Sequence, residues 1–135
     1  MATLTPKLTL SSSDAIADET LSLSVTDTLT IGAPSTGVSK VALAVSGGSD
    51  TTLVASSANN KYVYIKHTGV QADGSTATSN EVVVDFGTTD SIRLNTGEFA
   101  FFPAKASTAV TAISNHTQTI IVEYAYWTSA FSNST

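Results

Sequence analysis

Histidine, carboxylate and hydroxyl side chains are the groups that most often move protons, attack a substrate or hold a metal, and this chain places them sparsely. Its only histidines are His67, at the end of "KYVYIKH", and His116, in the turn "SNHTQ". They form no ligand-spaced pair, nothing matches the HExxH arrangement, and each reads as a surface histidine beside a turn rather than a general base. Serine is abundant, yet no G-x-S-x-G elbow is present to expose and activate one. Asp85, Asp90 and Glu98 lie around the turns that flank "SIRL"; three carboxylates can hold Ca²⁺, but their spacing follows no known calcium loop. Asp50 in "SGGSD" and Asp73 in "ADGS" read as turn residues, because Asp and Gly satisfy turn geometry without a ligand. "SGGSD" also lacks the Lys and following helix of a phosphate cradle. No catalytic, cofactor-binding or metal-binding residue is assigned, and the expectation is a protein without enzymatic activity.

The elements around these residues alternate with period two. In "TLSLSVTDTLTI", Leu21, Leu23, Val25, Leu29 and Ile31 all occupy odd positions with hydroxyls between them, which predicts a strand with one buried face. Asp27 interrupts that face and marks a bulge or a break into two strands. Upstream, Leu4, Leu8 and Leu10 are in phase, while Pro6 cannot donate a ladder hydrogen bond and points to an edge strand or an extended arm. Between these runs, "SSSDAIADET" reads as a connector with a short helical turn. The segments "VSKVALAVS", "TTLVAS", "KYVYIKH", "EVVVDF", "SIRL", "EFAFF", "STAVTAIS" and "QTIIVEYAYW" follow, separated by polar turns. About eight to ten short strands at this spacing predict a single all-β domain, an antiparallel sandwich of jelly-roll or Greek-key kind. Residues 1–12 form an N-terminal arm or edge strand, and residues 13–135 the sandwich. The thirteen residues from Thr68 to Asn80 make the longest loop signal, read as a solvated hairpin connection.

Composition narrows the function classes. The chain has 135 residues, enough for one real core, with 41% hydrophobic residues in patterned runs that argue against disorder. Charged residues are 13%, and Ser with Thr reaches roughly 30%, so hydroxyls wet the surface. Such side chains lose little entropy at a contact, whereas Lys or Glu loses up to about 2 kcal/mol. A net charge of -5 with no Lys/Arg cluster excludes a phosphate-backbone partner. There is no cysteine for a disulfide framework or a thiolate metal site. The start "MATLTPKLTLSSSD" carries no apolar core of a secretory signal, and no stretch approaches the roughly 20 apolar residues of a membrane span. The expectation is a soluble protein made in the cytoplasm, with neither nucleic acid nor membrane as partner.

The aromatic residues carry more information. Tyr62 and Tyr64 alternate with Val63 and Ile65, so both faces of that strand are at least partly covered. In "GEFAFFPAK", Phe99 and Phe101 point one way and Phe102 the other before Pro103 ends the strand, and Gly97 supplies the positive φ of the preceding turn. Near the C-terminus, Ile120, Val122, Tyr124 and Tyr126 share a face; Ile121, Glu123, Ala125 and Trp127 share the other, with Phe131 beyond. Tyr and Trp suit a surface that is half apolar and half wet, as subunit interfaces are. Equally, Tyr126 and Trp127 suit a roof over one end of the core.

The order "KYVYIKHTG", a loop, "SIRLNTGEFAFFP" and a terminal "IIVEYAYW" resembles small all-β virion proteins of tailed bacteriophages. The Thr/Ser-rich opening "MATLTPKLTLSSSDAIADETLSLSVTDTLTI" is similar to the starts of structural proteins of marine and cyanobacterial phages. The resemblance implies a capsid decoration, or cement, protein on the virion surface, a homo-oligomer and often a trimer, with the major capsid protein or other virion proteins as partners. Tail, neck or fibre components are the main alternative, and a receptor-binding or carbohydrate-binding module a further one. On this reading Leu4, Pro6 and Leu8 of the arm, and Tyr126, Trp127 and Phe131 near the C-terminus, contact neighbouring subunits or the shell.

Overall fold

The computed structural model describes residues 2–17, 19–87 and 89–132, and among these it is all-β, without a helix. Twelve strands form antiparallel sheets consistent with a β-sandwich, slightly more than the eight to ten expected. They are β1 (Ala2–Leu4), β2 (Lys7–Ile16), β3 (Glu19–Thr26), β4 (Leu29–Ser35), β5 (Ser39–Ala42), β6 (Thr51–Val54), β7 (Asn59–Gln71), β8 (Val82–Phe86), β9 (Thr89–Leu94), β10 (Phe99–Ala104), β11 (Val110–Ser114) and β12 (Ile120–Ser132). The larger sheet curls into a half-barrel in the order β1-β4-β12-β7-β10, with β5 also paired to β12. The smaller sheet runs β6-β11-β8-β9. Strands β2 and β3 pair only with each other, as a two-stranded ribbon.

The core lies between the two sheets because alternation aims one set of side chains from each sheet at the other. Val63 and Ile65 of β7, Ile120 and Val122 of β12, Val82 and Val84 of β8, and Val110 of β11 are all fully buried there. Phe102 enters the same layer from β10 and packs on Phe86, with ring centroids 5.1 Å apart. The residues that alternation groups together in "KYVYIKH" and "EFAFF" do share faces, and the structure decides which face is inward: that of Val63 and Ile65, and that of Phe102.

Four local expectations are corrected. Among its described residues "SSSDAIADET" holds no helical turn: β2 continues into it as far as Ile16, and Ile16 pairs with Glu19 near the ribbon tip. Cross-strand partners can satisfy a backbone that is too short to nucleate a stable helix. The odd-position face of "TLSLSVTDTLTI" is not uniformly buried. Ile31 lies in the core, but Leu23 and Val25 are exposed, because the break at Asp27 puts them on the ribbon instead of in the large sheet. Asp27 closes the ribbon base, its N–H donating to the Pro6 carbonyl at 3.1 Å and its carboxylate accepting from the Thr28 N–H at 2.7 Å. Pro103 does not end its strand: β10 is an edge, where a missing N–H costs no ladder bond, and it continues to Ala104.

The fourth correction concerns His67, which is fully buried and not at the surface. Strand β7 does not stop there but runs on to Gln71, which keeps His67 in the inward phase of Val63 and Ile65. Its Nδ1 accepts from the Gly69 N–H at 2.9 Å, and its Nε2 lies 2.8 Å from the Asn80 carbonyl, to which it donates. One ring thus staples both ends of the segment read as a long loop. The loop also folds back on itself: the Thr78 N–H donates to the Gly69 carbonyl, and Asp73 accepts from the Ser75 and Thr76 N–H groups. His116 is exposed, as expected.

Candidate functional site

The outer face of the large sheet, turned away from the core, carries aromatic residues in register. Pairing sets Trp127, Tyr62 and Pro103 in one row across β12, β7 and β10; the next row is Ala125, Tyr64 and Phe101, and the third is Glu123, Lys66 and Phe99. Directly opposed and diagonal neighbours on one face lie within reach of large rings. Tyr62 and Phe101 accordingly stack at 6.4 Å with planes 10° apart, and Phe101 meets Trp127 at 6.5 Å and 46°. Phe99 stays 61% exposed and Phe101 40% exposed.

This face forms the floor of an apolar groove of about 880 Å³. Its other wall comes from the N-terminal segments: Leu4 from β1, Pro6, the Leu8–Val25 pair at the ribbon base, and Leu29. Beyond that base the ribbon keeps the same apolar face, with Leu10 opposite Leu23, while Thr9–Ser24 and Ser11–Ser22 pairs occupy its other side. Leu8, Leu10, Leu23 and Val25 are between 41% and 51% exposed.

Of the residues singled out from sequence, Leu4, Pro6, Leu8 and Trp127 meet in this groove. Tyr126 does not, because its phase on β12 points it into the sandwich, where its ring lies 5.7 Å from the buried Lys61 ammonium. The side chain of Phe131 lies outside the described residues. Sequence reasoning put Phe99 and Phe101 on one face and Phe102 on the other without deciding which face is outer or adding them to the site, and it omitted Tyr62, Tyr64, Val25 and Leu29. The available signal was that β7 and β10 each alternate aromatic with core residues. What could not be read was that the two strands are neighbours.

The groove has few charged groups. Tyr64 Oη donates to Glu123 Oε1 at 2.8 Å, and burial, followed by that carboxylate, pushes the phenol up to about 12. Lys66 lies beside Glu123 in the same row, and Lys40 pairs with Glu123 from β5.

The carboxylates suspected of holding Ca²⁺ are placed differently. Asp85 and Asp90 are cross-strand partners on the smaller sheet, but Glu98 accepts from the Asn95 N–H at 2.6 Å and caps its own turn. The second carboxylate neighbour of Asp85 is Asp50, which also accepts from Thr111 Oγ1 at 3.3 Å. Asp85 is only 5% exposed and its Oδ1 has no hydrogen-bond partner. Burial pushes its carboxyl up to about 7, with Asp50 and Asp90 adding to the effect. Among the described residues, no group of three or more His, Cys, Asp or Glu side chains is arranged to hold a metal ion.

No protein-family model matches the chain, and no curated protein is significantly similar to it.

Proposed function

We propose that this chain is a non-enzymatic structural protein of a tailed-phage particle, acting through protein–protein contact, with decoration of the capsid surface as its place. The observation that carries the contact reading is one continuous apolar surface: the exposed ribbon face (Leu8, Leu10, Leu23, Val25) runs into the aromatic floor with Phe99 and Phe101. Large apolar patches of this kind mark interaction surfaces, since monomeric proteins keep such area out of water. The hydroxyl-rich remainder of the surface supports the same reading, because Ser and Thr order at low entropic cost. The phage assignment rests on the sequence resemblance alone. Electron microscopy of purified particles with a count of copies tests it: hundreds of copies on the shell select decoration, and about six or twelve select a neck or tail ring.

A second reading, a receptor-binding or carbohydrate-binding module, draws on the parallel Tyr62 and Phe101 rings beside Trp127. Sugars need polar partners around the ring edge as well as a stacking face, and Lys7 and Asp27 are the charged residues among those lining the groove. A glycan array separates the two: a decoration protein binds purified capsid and no glycan.

A further inference from the structure

We propose that the apolar ribbon of one copy seats in the aromatic groove of another copy of the same chain, each molecule giving its ribbon to a neighbour and receiving one in return. The proposal rests on the reading of the groove as a protein-contact surface and names its occupant.

Three features point to a second copy. The first is the state of the ribbon: two paired strands alone are at best marginally stable in water, and this pair has an apolar face with a polar back. Its base packs beside the groove, but Leu10 and Leu23 lie beyond the groove's lining. A cover supplied from outside the chain stabilises such an element.

The second is area. Ten residues of β2 at about 3.4 Å each, on a ribbon about 10 Å wide, present roughly 340 Å² on one face. A specific interface takes about 800 Å² from each partner, so a partner that meets the ribbon alone falls short by more than half. Exchange moves the buried area per copy toward that figure, because each copy buries its groove floor in addition to its ribbon face.

The third is charge. The chain is acidic overall, which opposes random self-contact. Asp14 and Glu19 make the ribbon tip negative, and Lys66 stands two residues beyond Tyr64 on the outer sheet face, with Lys40 across Glu123 in the same row. An acidic tip on an apolar ribbon therefore matches an apolar groove with lysines beyond its end.

The absence of native cysteine allows a direct test. Leu10→Cys and Phe101→Cys proteins are prepared separately, mixed, and treated with a short bis-maleimide; a covalent pair joining one of each is expected well above either homopair. Equal yields of all three pairs, or none, would overturn the exchange. Light scattering at micromolar concentration is expected to give a multiple of the 13.9 kDa chain mass. Leu10→Asp with Leu23→Asp, placed on the ribbon away from the core, is expected to weaken association at least tenfold while circular dichroism stays unchanged. A wild-type monomer, or an oligomer indifferent to those substitutions, overturns the proposal. Particle binding is scored separately. A monomer that still loads onto capsids keeps the contact reading and removes the exchange; an exchanged oligomer that ignores capsids keeps the exchange and removes the particle assignment.

Discussion

The two faces of the large sheet are built from the same strands and do opposite work. On the inner face, Val63, Ile65, Ile120 and Val122 are closed off by the smaller sheet. On the outer face, Tyr62, Tyr64 and Trp127 are half-buried, and Phe99 and Phe101 are exposed. Aliphatic residues fill the side where a dense, dry fit decides stability, and rings fill the side that must meet water at one time and a partner at another. Apolar content alone therefore does not identify the core; enclosure does.

Substitution should separate the faces most sharply by truncation. Ile65→Ala is expected to cost about 3 kcal/mol, since its surroundings relax only partly around the cavity, whereas Phe101→Ala should cost the isolated chain about 1 kcal/mol or less. Urea unfolding of both variants under monomeric conditions provides the comparison, and equal losses would erase the distinction between the faces.

His67→Ala comes next, at about 2 kcal/mol, because it leaves the Gly69 N–H and the Asn80 carbonyl without their ring partner. Faster hydrogen exchange at Gly69, with little change in β8, would tie the loss to the 68–80 segment.

Asp85 sharpens the comparison from the smaller sheet, where a polar residue is enclosed. Its folded carboxyl titrates at about 7, above the usual carboxylate range, so the native state holds the extra proton. The wild type should lose stability as pH rises from about 4 to about 7, then level off. Asp85→Asn should remove most of that slope and gain about 1–2 kcal/mol at pH 8, with little gain at pH 4. Thermal unfolding across that range measures it; parallel curves for the two proteins would refute the assignment.

The smallest effect is expected on the outer face. Tyr64→Phe should change stability by less than about 1 kcal/mol, because only one hydrogen bond is lost and the ring stays. Ultraviolet titration should find one phenol near 12 in the wild type and lose it in Tyr64→Phe. Glu123→Gln should lower that value only in part, since burial is the larger cause.

The fold class was legible because alternation is local: "KYVYIKH" and "TIIVEYAY" state which side chains share a face, and the sheets keep those assignments. The ribbon was hidden for the opposite reason. "SSSDAIADET" has weak preferences of its own, and the extended shape of its β2 residues comes from partners up to eleven positions away, as in Ser11 with Ser22. His67 was misplaced because a strand end cannot be seen when the residues beyond it are Thr, Gly and Val, which suit a turn as readily as a sheet. Four of the groove's lining residues, Leu4, Pro6, Leu8 and Trp127, were singled out in advance, while Tyr126, on the face it was read to share with Ile120, Val122 and Tyr124, packs on the core instead of lining the groove.

By itself the sequence determined that the chain is all-β, that β7, β10 and β12 each carry two useful faces, and that Asp27 interrupts an apolar face as a bulge or a break. Only the tertiary structure decided that those three strands are neighbours, that the ribbon base walls their outer face into a groove, and that Asp50 rather than Glu98 meets Asp85. Face is set by a two-residue backbone repeat, which any short window reveals. Neighbourhood is set by pairing between segments far apart in the chain, and no local pattern encodes it.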